Sequence, residues 1–97
     1  MRLAFRTNHL RQAAEDLDVA IRAWGPAVAA RYHHRVAILR VVASLDELFT
    51  YRSLRTHPLR GGLRGRYAID LVGRWRLIIT ITGDAATIEE VSNHYDD

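Results

Sequence analysis

The sequence predicts an α+β domain: an N-terminal strand and a two-helix hairpin packed on one face of a mainly antiparallel sheet of about four strands. Apolar residues recur every three or four positions as far as about residue 43, the signature of helices with one buried side. Beyond Tyr51 the glycines at 61, 62, 65, 73 and 83 separate segments enriched in β-branched residues, the signature of strands and turns. A strand, then helices, then consecutive strands is the order of a sheet covered by helices on one face. At 97 residues, with no repeat and no linker, the chain (residues 1–97) is expected to form a single domain.

Residues 2–5 are expected to form the first strand. Thr7 or Asn8 can cap the helix that follows, because a side-chain oxygen there accepts from the free N–H groups of the first turn. Leu10, Ala13, Leu17, Ala20, Ile21 and Trp24 then trace one amphipathic stripe. Gly25-Pro26 ends that helix and starts the next. The second helix is expected over residues 26–43, with Val28, Tyr32, Val36, Leu39 and Ala43 on its buried face. Ser44 can cap a short last turn, SLDELF, with Glu47 completing a capping box. Met1, Trp24 and Tyr32 are expected in the core. Residues 67–72 and 75–82 read as strands joined by a tight turn at Gly73-Arg74, and a third strand over residues 87–94 follows Gly83-Asp84. The hairpin register stays open. A two-residue turn pairs Val72 with Trp75 and puts Arg76 on the face of Ile69 and Leu71; a turn one residue longer reverses that assignment.

Charge is distributed unevenly. The chain has fourteen arginines and no lysine. Seven of the arginines (52, 55, 60, 64, 66, 74 and 76) fall between Arg52 and Arg76, where Asp70 is the sole acidic residue. That window carries +6 and the remainder −3, for the net +3 of the chain. An all-arginine set is also what codon bias produces, yet each guanidinium is a planar fork matched to two phosphate oxygens. With a pI near 9.9, an acidic partner is expected, nucleic acid foremost. The absence of cysteine rules out disulfides and thiolate metal sites. No apolar run reaches signal-peptide length or the ~20 residues of a membrane span. A cytoplasmic protein without membrane contact is the expectation.

RNA cleaves when its 2′-OH attacks the adjacent phosphate. The reaction needs a base for the 2′ proton, an acid for the 5′ oxygen and cations for the charge on the phosphorane; neither metal nor cofactor is required. His57 and His94 suit the first two roles, since imidazole titrates near neutrality. Arg60, Arg64, Arg66, Arg74 and Arg76 are candidates for the third. His33 and His34 stand about 100° apart on a helix and cannot serve one ligand together; His9 is expected on the surface. The sequence contains no HExxH, no glycine-rich phosphate loop with lysine and no GxSxG, and no cluster of three or four zinc ligands.

The stretch HPLRGGLRGRYAIDLVGRWRLIITIT resembles the RelE/ParE superfamily. It has a histidine and a basic residue before glycine, a Gly-Arg-aromatic strand, a hairpin, an aromatic-Arg-aliphatic strand, and a last strand ending in histidine. It looks most like the HigB, or plasmid maintenance killer, toxins, and the upstream helical hairpin is similar as well. The resemblance implies a ribosome-dependent mRNA endonuclease, held inactive by a HigA-like helix-turn-helix antitoxin. By position it assigns catalysis to His57, Arg60, Arg76 and His94, with Arg76 at the scissile phosphate. It leaves Arg64, Arg66, Arg74, Asn93 and Tyr95 to contact RNA. The pattern departs from the family at Ser92-Asn93-His94, where that group often has Asp-Tyr-His. Two other functions remain open: a ParE-like gyrase poison that cuts no RNA, and a decayed toxin that only binds its antitoxin.

Overall fold

The computed structural model describes residues 1–60 and 65–94. In chain order it contains β1 (Arg2–Phe5), α1 (Asn8–Glu15), α2 (Leu17–Trp24), α3 (Pro26–Val41), α4 (Leu45–Phe49) and a 3-10 turn (Arg52–Leu54). These are followed by β2 (His57–Pro58), β3 (Arg66–Asp70), β4 (Arg76–Thr82) and β5 (Ala85–Ser92). The sheet has five strands in the order β1-β5-β4-β3-β2, all antiparallel except the β1–β5 pair. This is the expected α+β architecture, with one more strand than the four anticipated. The addition is β2, two residues at a sheet edge, where a proline is tolerated because it need not donate to a neighbour.

The expected first helix is two helices. Asp16 leaves the helical region (φ −135°, ψ 111°), and its carboxylate accepts from the Asp18 N–H at 2.9 Å. It thus closes α1 and caps α2. Aspartate competes with backbone carbonyls for nearby N–H groups, which favours a cap over a helix interior. The break turns Leu17 out of the apolar stripe and leaves it 45% exposed, while Ala13 and Ala20 stay fully buried. Gly25 then takes φ +84° between α2 and Pro26, a region open to glycine at little cost. Helix α3 stops at Val41, two residues early. Val42 becomes extended and buried, and Ala43, expected inside, is exposed. Ser44 caps α4 by accepting from the Glu47 N–H at 3.2 Å.

The core lies between these helices and one face of the sheet. Leu10, Tyr32, Val36, Leu39 and Leu48 meet Ile69, Leu71, Leu77, Ile79 and Ile88, with Met1 and Trp24 packed at the edge. Tyr32 is fully buried, donates to the Leu10 carbonyl at 2.7 Å and packs edge-on against Trp24 at 4.9 Å.

The β3–β4 connection settles the register. Trp75 N–H donates to the Val72 carbonyl, but the ladder pairs Asp70 with Arg76 and Ile69 with Leu77. A tight turn with Gly73 at φ +58° is therefore followed by a one-residue offset, the longer of the two registers. Arg76 consequently faces away from Ile69 and Leu71. Strand β5 begins and ends two residues earlier than expected, so His94 lies just beyond it.

Candidate nucleic-acid interface

Alternation along the strands assembles a second face, opposite the helices. Directly paired residues share a face. Arg66, Ala68 and Asp70 of β3 stand opposite Thr80, Ile78 and Arg76 of β4; His57 is paired with Ala68, and Ser92 with Arg76. A bulge opposite Ile78 and Ile79 inserts Glu89 into β5, so that Glu89 and Glu90 both avoid the core. Glu89 accepts from the Thr80 hydroxyl at 2.9 Å and lies 3.9 Å from the Arg66 guanidinium.

A connected run of polar groups crosses this face. His57 Nδ1 lies 2.7 Å from the Arg55 carbonyl, and only a protonated nitrogen can approach a carbonyl so closely. That makes Nε2 the basic nitrogen of the neutral ring. Arg55 takes a left-handed backbone (φ 50°, ψ 41°), the one positive φ at a non-glycine among the described residues. Its Nε forms an ion pair with Asp70 Oδ2 at 3.3 Å, and Asp70 Oδ1 forms a second with Arg76 Nε at 3.0 Å. Arg76 Nη1 also donates to the carbonyls of Gly73 and Trp75, at 2.9 and 3.0 Å. From the helical side, the buried Arg35 donates its Nε to the Asp70 carbonyl at 3.0 Å, and its Nη1 to His34 Nδ1. Burial lowers the pKa of Arg35, Arg31 adds to that, and Asp70 opposes it.

At the turn end of the sheet, Arg74, Trp75, Asn93 and His94 line an open cleft of about 500 Å³. The His94 N–H donates to the Ser92 hydroxyl at 3.0 Å, and Ser92 is the cross-strand partner of Arg76.

The expected site residues thus fall into groups. Arg74, Asn93 and His94 come together, with Arg76 one pairing away. His57 is linked to Arg76 through Arg55 and Asp70. The two histidines do not converge: β2 and β5 are separated by β3 and β4, a span of roughly 14 Å at ~4.8 Å per strand. Arg60 follows β2 and is exposed; Arg66 faces Glu89; Arg64 and Tyr95 lie outside the described residues. Sequence reading missed Asp70, Arg55 and Trp75 as site residues. Asp70 carried a signal, being the lone acid in an arginine-rich window. His33 donates to the Ala13 carbonyl, a structural role. Among the described residues no group of three or more His, Asp or Glu could hold a metal ion, and no helix is long and apolar enough to cross a membrane.

No family profile and no curated protein matches the sequence. Solved structures match over nearly the whole chain. YafQ from E. coli strain BL21(DE3) is 12% identical with a TM-score of 0.62, over 97% of this chain and 94% of that one. The YoeB/ParE toxin from Agrobacterium tumefaciens is 13% identical with a TM-score of 0.61, over 98% and 100%. YafQ in the E. coli DinJ-YafQ complex is 16% identical with a TM-score of 0.58, over 97% and 94%. The chain therefore has the RelE/ParE-type toxin fold.

Proposed function

We propose that the protein is the toxin of a type II toxin–antitoxin pair and an endoribonuclease that cuts mRNA on the translating ribosome, in the cytoplasm. The observation that carries the reading is the position of Arg76. It sits on the sheet face away from the helices, held by Asp70, and its cross-strand partner Ser92 leads directly to the His94 cleft. A phosphodiester lying across β4 and β5 meets a guanidinium at its non-bridging oxygens and an imidazole beside it. His94, beside Arg76, takes one of the two proton transfers: removal of the 2′ proton as the 2′ oxygen bonds to phosphorus, or protonation of the departing 5′ oxygen, which leaves a 2′,3′-cyclic phosphate. His57, two strands away, does not reach the same bond in this arrangement, so the other transfer falls to a group supplied by the ribosome. Arg60 and Arg76 offset the charge of the phosphorane, and Arg64, Arg66, Arg74, Asn93 and Tyr95 contact flanking nucleotides.

The DinJ-YafQ complex of a neighbour in fold supports an antitoxin as partner, here a HigA-like helix-turn-helix protein. The test is Arg76→Ala. Growth arrest and new internal mRNA ends should both disappear, while antitoxin binding and thermal unfolding stay near wild type. A fully toxic variant would remove Arg76 from the chemistry. If the wild type leaves transcripts intact but triggers DNA-damage signalling, the protein is a gyrase poison. If it binds antitoxin without affecting growth, it is a decayed toxin.

A further inference from the structure

Asp70 is the least expected residue on this face. A carboxylate beside a phosphate-binding guanidinium repels the substrate, and Asp70 is the only acid in the basic window. Its surroundings nonetheless tie it down on every side. Its main-chain carbonyl is held from the core by the buried Arg35, 4% exposed. Its two carboxylate oxygens are divided between Arg76 and Arg55, which come from different elements. Asp70 and Arg76 are direct cross-strand partners, with side chains 23% and 19% exposed. The contact to Arg76 is made at Nε, on the edge of the guanidinium, and Nη1 is turned back onto the Gly73 and Trp75 carbonyls.

We infer that Asp70 is the positioning residue for Arg76: it fixes the plane and direction of that guanidinium for the transition state, at the cost of weaker binding of the RNA ground state. The inference rests on the nuclease reading for its kinetic consequence, though not for its structural one. A carboxylate clamped at one edge removes rotation about the last bonds of a long side chain, and a small misplacement of a catalytic group can cost ~100-fold in rate. The same carboxylate cancels one positive charge on the surface that attracts the polynucleotide. Orientation favours kcat and the lost charge raises KM, so the two parameters should respond in opposite directions.

The experiment uses the purified full chain and its Asp70→Asn and Asp70→Glu variants. The probe is a single-stranded oligoribonucleotide in fluorescence anisotropy, with mRNA cleavage followed on translating ribosomes. Asp70→Asn should bind the oligonucleotide several-fold more tightly at low salt, with a log–log salt slope steeper by ~0.7. Its kcat should fall at least tenfold, and Asp70→Glu should recover part of that loss. Unchanged kcat in Asp70→Asn, or a parallel loss of binding and turnover, overturns the inference. A second readout is independent of activity. The Arg76 Nε–H signal in ¹⁵N NMR should be protected from exchange in the wild type and in Asp70→Glu. It should exchange rapidly in Asp70→Asn while core amides stay protected. Equal protection in all three proteins refutes the positioning role. A wild type that cleaves nothing refutes the nuclease reading alone, leaving the NMR result to decide the fate of Asp70.

Discussion

The two faces of one sheet are built from the same strands and follow opposite rules. On the helical face Ile69, Leu77, Ile79 and Ile88 are fully buried, and their contribution is apolar area removed from water. On the other face Arg66, Asp70, Arg76, Thr80 and Glu89 sit partly exposed in paired contacts, where net contributions to stability are small. The comparison teaches that a period-2 chain can specify a scaffold and a charged working surface within one ladder, provided the register is held. A slip of one residue would put Arg76 into the core and Leu77 outside.

The largest effect should come from the core face. Leu77→Ala should destabilise the domain by about 2–5 kcal/mol through lost transfer energy and a residual cavity, read as a lower denaturation midpoint with an unchanged m-value. Arg66→Ala, on the other face, should cost less than about 1 kcal/mol; equal losses at the two sites would erase the distinction between faces.

A smaller effect tests the helical layer that covers the core face. Asp16→Ala removes the cap of α2 and should cost ~1 kcal/mol. Its neighbour Leu17→Ala should stay within ~0.5 kcal/mol, because that side chain is outside the core. If Leu17→Ala proves the costlier change, the helix is continuous in solution.

The smallest effect is confined to alkaline pH. Burial holds the Tyr32 phenol well above its ordinary 10.0. Because the folded value is raised, the neutral form's contribution is complete below pH 10 and declines as pH climbs toward the folded value. Alkaline titration followed by far-UV circular dichroism should therefore show stability falling above pH 10. In Tyr32→Phe that particular slope should be absent.

The sequence made the large periodic features legible: the α+β order, the first strand, the third helix and its cap at Gly25-Pro26, and the β3–β4 hairpin. Local polar chemistry was harder to read. Asp16 sits where the apolar stripe runs unbroken from Ala13 to Ala20, so periodicity gave no warning that a carboxylate would end one helix and begin another. Strand β2 left no trace because two residues, one of them proline, have no period. In the site, Arg74, Asn93, His94 and the face of Arg76 depended on a one-residue register choice that only the Asp70–Arg76 pairing resolves. Arg55 entered through a left-handed turn for which no glycine or asparagine signalled the way.

Strand β1 finds its place in the sheet only beside β5, at Ala85 through Ile88. Residues 2–5 therefore pair only once residues 85–88 are in place, and the helices between them rest on a sheet that this pairing completes. Such distant pairing slows folding. It also makes the edge strand the last partner of a ladder whose other pairings, β2 to β5, are all between segments close in sequence, so the sheet's charged face can form before its N-terminal edge is sealed.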